Sequence, residues 1–134
     1  MSLRWYSVVV DCHDVVAQAR WWAEVLDWHT IFEADDEVAI VPKHVTAEWL
    51  RTTPWDQVGP GLVFVPVPEE KTVKNRLHID LAPQLDDDQG AVVESLIAKG
   101  ATRVNVGQDK NVVKWVVLAD PEGNEFCVLS SRAE

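Results

Sequence analysis

The sequence predicts an α+β protein in which one β-α-β-β-β unit is used twice. Three observations predict it. Short β-rich runs and amphipathic helical stretches follow one another in the order strand, helix, three strands, and that order occurs twice. The two copies align at a constant offset of 71: Val8 falls on Ile79, Val10 on Leu81, Val25 on Leu96 and Leu26 on Ile97. Every matched pair is apolar, as an internal structural repeat requires. Each copy also carries its own helix-start signal, Asp14 in the first and Asp86-Asp87-Asp88 in the second.

In the first copy, residues 5–10 form a β-rich run. Tyr6, Val8 and Val10 point to one face, and Trp5, Ser7, Val9 and Asp11 to the other. Asp14 caps a helix whose apolar face is Val15, Ala19, Trp22, Val25 and Leu26. Strands over 30–34 and 37–41 follow, joined by a turn at Asp35-Asp36. Residues 44–60 are irregular, with a helical turn at 47–51, and a strand over 61–67 ends at Pro68. In the second copy a strand over 76–81 puts Leu77, Ile79 and Leu81 on the helix-packing face and Arg76, His78 and Asp80 on the other. Val92, Val93, Leu96 and Ile97 form the face of the second helix, which Gly100 stops. Strands over 103–106, 112–119 and 125–129 complete the copy, with a loop at 107–111. One domain results, with module one over about 3–68 and module two over about 75–131.

Composition narrows the function. At 134 residues the chain is long enough for one domain with a real core. A net charge of −10 argues against nucleic acid, which needs clustered Lys and Arg, and disfavours a strongly anionic ligand unless a local cation serves it. No apolar run approaches the ~18 residues of a membrane span, so no membrane is expected as a partner. The opening residues lack a secretory leader pattern, and the protein is read as cytoplasmic. Cys12 and Cys127 show no metal-type spacing and are read as free thiols. Seven tryptophans, at 5, 21, 22, 28, 49, 55 and 115, suit an aromatic-lined pocket as well as core and interface.

Three segments carry a resemblance: SVVVDCHDVVAQARWWAEVLDW, NRLHIDLAP and WVVLADPEGNEFCVL. Together with the doubled order they make the chain resemble the glyoxalase-like families of the vicinal oxygen chelate (glyoxalase/bleomycin resistance/dioxygenase) superfamily. The DPEGN turn followed by a strand is the most specific element. The resemblance implies curved mixed sheets around a shared cavity. In metal-dependent members it implies a divalent ion held by up to four side chains on the first and last strands of each module, usually His on the first and Glu on the last. Carried onto this chain, those positions are Ser7, Val65, His78 and Cys127. Only His78 matches, so no metal and no cofactor are expected.

The residues expected to line a ligand site are Trp5, Ser7, Val65, Arg76, His78, Asp80, Trp115, Val117 and Cys127. His78 with Asp80 is the candidate acid–base pair; the competing role is plain hydrogen bonding in a polar pocket. Cys127 is either a small apolar filler or a thiol paired with His78. Trp115 is pocket lining or core, and Arg76 is the expected cation for an anionic ligand group. Trp49 and Trp55 are read as a lid or a dimer contact, Trp21, Trp22 and Trp28 as core or interface, and His13, His29 and His44 as surface or turn residues. The expected function is metal-free binding of a small molecule in an aromatic-lined cavity, by a homodimer. The alternative is a metal-independent lyase or isomerase using His78 and Asp80. A metal-dependent glyoxalase or dioxygenase is the third reading, against which the ligand count speaks.

Overall fold

A computed structural model of the chain describes residues 3–104 and 115–134. It divides into two units, Met1–Glu69 and Glu70–Glu134. The first contains β1 (Ser7–Cys12), α1 (Val15–Leu26), β2 (Trp28–Ala34), β3 (Glu37–Pro42), the short α2 (Ala47–Thr52), a single 3-10 turn at Trp55–Gln57 and β4 (Gly61–Pro66). The second contains β5 (Ile79–Leu81), α3 (Gln89–Ala98), β6 (Thr102–Arg103), β7 (Trp115–Ala119) and β8 (Glu125–Leu129). The sheets have the same mixed topology, β1-β4-β3-β2 and β5-β8-β7-β6. In each, the first strand runs parallel to the last, and the remaining pairs are antiparallel. The fold is therefore α+β, with two βαβββ modules.

In the first unit Asp14 takes extended backbone angles, and its carboxylate accepts the Ala17 N–H at 3.1 Å, satisfying one of the free donors of α1. Val15, Ala19, Trp21 and Trp22 are buried, while Val25 and Leu26 of the expected face are only half-buried. α1 packs on β2, β3 and β4, whose Val38, Ile40, Leu62 and Phe64 form the core. Each such side chain contributes about 1.5–3 kcal/mol on burial. β1 starts at Ser7 rather than at Trp5, because β4, its partner, starts at Gly61 opposite Ser7. The indole Nε1–H of Trp5 donates instead to the Ser7 carbonyl at 3.2 Å. His29 is not a surface residue: it is half-buried in β2 and donates from Nε2 to the Val45 carbonyl at 2.7 Å.

In the second unit Asp88 caps α3 by accepting the Ala91 N–H at 2.9 Å. Gly100, at φ 120°, carries the chain out of the helix through a backbone region closed to side chains. Val93 and Leu96 of α3 are buried, as are Leu118, Phe126 and Val128 of the sheet, and α3 packs on β8. Two expectations need correction. The strand expected over 76–81 spans only Ile79–Leu81, and Leu77, expected on the packed face, is 87% exposed. β8 is the strand that pairs with β5, and Ile79 meets it at Phe126; just before lies the turn that leads into β8, so the ladder cannot extend toward residue 76. β6 is limited to Thr102–Arg103. The expected loop 107–111 and the expected strand residues 105–106 and 112–114 lie outside the described residues.

The DPEGN turn between β7 and β8 is built by Asp120, which is only 3% exposed. Its Oδ1 accepts the N–H groups of Glu122 and Asn124, both at 3.0 Å, and its backbone pairs with Asn124 and Gly123. Gly123 sits at φ 91°, which other residues reach only with strain. This turn fixes where β8 begins and hence which β8 residues face β5.

Candidate functional site

Strand alternation divides the second sheet into two faces. Ile79, Leu81, Val116, Leu118, Phe126 and Val128 share the helix-packing face. His78, Asp80, Val117, Glu125, Cys127 and Leu129 share the other by parity and register, since Asp80 lies opposite Cys127 and Cys127 opposite Val117. That second face lines a cavity of about 330 Å³, together with Trp115 and with Lys74 from the segment before β5. Volumes of this size accommodate small organic ligands.

At the polar end of the cavity Asp80 joins two neighbours. His78 Nε2 is 3.2 Å from Asp80 Oδ1, with both side chains about half exposed. The Cys127 thiol, buried at 6% exposure, lies beside the same carboxylate, its Sγ within 4.8 Å of the His78 and Asp80 donor atoms. Burial raises the Cys127 pKa above its ordinary value, the Asp80 charge and the hydrogen bond to it raise it further, and Lys74 opposes them. The thiol is therefore protonated at neutral pH, which argues against a nucleophilic Cys–His pair.

Glu125 lines the same cavity. Lys71 Nζ approaches its Oε2 at 3.2 Å, and the Asn75 backbone N–H donates to the same oxygen at 3.3 Å. The Asn75 amide, oriented to satisfy both partners, donates to Oε2 at 3.0 Å and accepts the Glu125 N–H at 3.3 Å. Burial alone would raise the Glu125 pKa; its hydrogen bonds, from the backbone, Lys71 and Asn75, outweigh that and hold it below the ordinary carboxylate value. Residues 71 and 75 are thereby strapped to the start of β8, and Lys74 lies between the two anchors.

Of the residues singled out in the sequence, His78, Asp80, Trp115, Val117 and Cys127 meet in this cavity. Arg76 is exposed and is not among the lining residues, and the lining cation is Lys74. Lys74 and Leu129 escaped sequence reasoning, and Glu125, which alternation puts on the same face as Cys127, was not among the expected lining residues. Parity with Cys127 was the signal available for Glu125 and Leu129, whereas nothing in the sequence distinguished Lys74 from its neighbours. Trp5, Ser7 and Val65 belong to the first unit. There the register shows that the repeat offset changes from 71 in the first strand to 64 in the last, since Val8 pairs with Leu62 and Ile79 with Phe126. The first-unit counterpart of Cys127 is thus Val63, and Val65 is that of Leu129. Trp49 stacks edge-on against His44 at 5.0 Å, and exposed Trp55 lies 5.3 Å from the Arg4 guanidinium.

The four positions at which the family resemblance would place a divalent ion do not fit one. Ser7 offers a weak hydroxyl donor and neither Val63 nor Val65 offers any, which leaves only His78 and Cys127 with effective donor atoms. A different set exists within the second unit, where donor atoms of His78, Asp80 and Cys127 all lie within 4.8 Å of one another. Donors on a bound zinc ion stand closer together, ~3.3–3.8 Å apart for bonds of ~2.0–2.3 Å.

Comparison with known proteins agrees with this architecture. A glyoxalase/bleomycin resistance protein/dioxygenase family enzyme from Burkholderia phytofirmans PsJN is 17% identical, with 96% of this chain and 98% of that one covered at a TM-score of 0.67. A glyoxalase-related enzyme from Fulvimarina pelagi is 14% identical, with 94% and 86% covered at a TM-score of 0.61. A mutant of the genomically encoded fosfomycin resistance protein of Listeria monocytogenes, solved with manganese(II) and dihydroxypropylphosphonic acid, is 10% identical, with 98% and 92% covered at 0.67. At these identities the likeness is one of fold. Among curated proteins none matches the sequence. The model of the glyoxalase-like domain matches residues 7–129, nearly the whole chain, and the protein belongs to that family.

Proposed function

We propose that the protein binds a small organic molecule in the cavity of its second module, without the family's divalent ion. One observation carries this reading: the cavity gathers Asp80, His78 Nε2 at 3.2 Å from it and the buried Cys127 thiol into one polar group, beside the apolar surface of Trp115, Val117 and Leu129. Such a site offers an aromatic wall, an apolar floor and a few fixed polar atoms, which is what holding and orienting a ligand requires. His78 and Asp80 are also placed for proton transfer, which supports the lyase or isomerase alternative. A cytoplasmic homodimer is part of the reading; the exposed Trp5, Tyr6, Phe32 and Trp55 of the first unit support a second copy as a partner.

The test is titration of purified protein with a metabolite and drug panel, following fluorescence in the wild type and in Trp115→Phe. A hit should change the wild-type signal and lose most of that change in the variant. If His78→Ala still binds the hit and no longer turns it over, the protein is an enzyme. A panel on which Trp115 never responds counts against the site.

A second reading has its own observation, the His78, Asp80 and Cys127 donors gathered within 4.8 Å. One nitrogen, one oxygen and one sulfur suit a soft divalent ion such as zinc. Stoichiometric zinc, iron, manganese or nickel in the purified protein would replace the metal-free reading with this one.

A further inference from the structure

The charges lining the cavity differ in how they are partnered. Glu125 is held by Lys71 and Asn75, and Asp80 by His78 and Cys127. Lys74 alone among the lining charges has neither an ion pair nor a hydrogen bond to another of the described residues. Its position is nevertheless defined, because the Glu125 carboxylate ties down Lys71 on one side of it and Asn75 on the other. The Lys71 stem also lies over the β7–β8 turn, its Cγ 3.5 Å from where a Cβ on Gly123 would stand. The strap therefore presents a single ammonium group at the rim of an otherwise apolar wall.

We propose that the ligand is a monocarboxylate with an aromatic or aliphatic body, its carboxylate paired with Lys74 and its body on Trp115, Val117 and Leu129, and that Glu125 acts as a positioning residue by holding the strap that carries Lys74. The proposal rests on the small-molecule reading above. One point charge suits one carboxylate, whereas a phosphate or phosphonate dianion calls for the several donors of an arginine fork or a helix N-terminus. Asp80, in the same lining, sets the opposite requirement: its carboxylate repels a second acid and accepts from a ligand hydroxyl or N–H.

Calorimetric titration of the whole protein with naphthylacetate, its neutral analogue naphthylacetamide and the dianion naphthylmethylphosphonate tests this. The Trp115 indole N–H resonance locates the binding. The wild type should bind the carboxylate about tenfold more tightly than the amide, and added salt should weaken the carboxylate alone. Lys74→Gln should bring the carboxylate to the affinity of the amide and leave the amide unchanged, and Lys74→Arg should keep most of the preference. Glu125→Gln separates positioning from plain charge. Removing a negative group from the lining would by Coulomb attraction tighten the anion, whereas loosening the strap weakens it about threefold or more with the amide unaffected. Equal affinity for carboxylate and amide overturns the proposal and leaves the small-molecule reading standing. So does a preference that survives in Lys74→Gln, or a phosphonate bound more tightly than the carboxylate. A tightened carboxylate in Glu125→Gln overturns the positioning role. If no probe moves the Trp115 resonance, both readings fail.

Discussion

The two modules share a strand order, a register and a helix-packed face, yet their open faces differ in chemistry. Where the second sheet carries His78, Asp80, Glu125, Cys127 and Leu129, the first carries Ser7, Val9, Gly61, Val63 and Val65 at the matching register positions. Val9 stands in place of Asp80 and is 55% exposed, and Gly61 stands in place of the carboxylate that anchors the strap. A side chain at Gly61 would also be tight, since a Cβ there would stand 3.0 Å from the Ile40 carbonyl oxygen and 3.1 Å from the Val41 side chain. The fold thus constrains the packed face of each module and leaves the open face free to differ. At the matched positions the polar side chains are concentrated in module two.

The sharpest way to probe the shared part is through the packed faces. Leu62 and Phe126 occupy matching positions, opposite Val8 and Ile79. Phe126→Ala should cost about 3–5 kcal/mol in urea denaturation, and Leu62→Ala about 2–5 kcal/mol, from lost burial plus the cavity left behind. A cost under about 1 kcal/mol for either would show that its module is not held together by this face. The turns should separate the modules next. Asp120→Ala removes a buried acceptor of two N–H groups and should cost about 2–3 kcal/mol. Asp36→Ala, in the exposed β2–β3 turn of the first module, should stay within about 0.5 kcal/mol.

The contrast between faces also explains what was readable in the sequence. Helix faces, caps and strand order follow from local periodicity and from Asp14, Asp88 and Gly100, so both modules were legible as βαβββ units. Strand ends were less so, because β1 and β5 begin where a distant partner begins, opposite Gly61 and just after the Asp120 turn. His78, Asp80 and Cys127 could be placed on one face by alternation. Lys74 could not, because its placement depends on the tertiary bonds between Glu125 and residues 71 and 75. The match of Cys127 to Val65 was displaced by two residues, because the repeat offset changes between first and last strands and only the register reveals it.

The second module should also show two pH windows that the first lacks at the matching positions. The folded pKa of Glu125 lies below its unfolded value, so its stabilisation is complete above the ordinary carboxylate pKa of about 4.3 and is lost as pH falls through the lower folded value. Glu125→Gln should cost about 1–2 kcal/mol at neutral pH and flatten that acid limb. The folded pKa of Cys127 is raised, so its contribution is complete below the ordinary thiol pKa of about 8.5 and is lost as pH rises toward the folded value. Cys127→Ala should remove that alkaline loss. In the wild type, iodoacetamide should leave Cys127 unmodified at pH 7, and rapid alkylation there would contradict a buried, protonated thiol.

The smallest effects belong to the helix ends, where the modules solve one problem with different residues. α1 leaves its last turn at Asp27, a non-glycine residue at φ 55°, whose N–H bonds back to the carbonyls of Ala23 and Glu24. α3 is followed by Gly100 at φ 120°. An aspartate pays a modest conformational penalty in the left-handed region and none of it is recovered by the Lys43 ion pair, at 2.5 Å, because both partners are largely exposed. Asp27→Gly should therefore stabilise the protein by about 0.5 kcal/mol, and Lys43→Ala should change it by less than that. Gly100→Ala should destabilise it by about 1 kcal/mol or more, because no L-residue rests easily at φ 120°. If Asp27→Gly destabilised the protein, the aspartate side chain would be contributing more than its exposed ion pair accounts for, and the two helix ends would not be variants of one device.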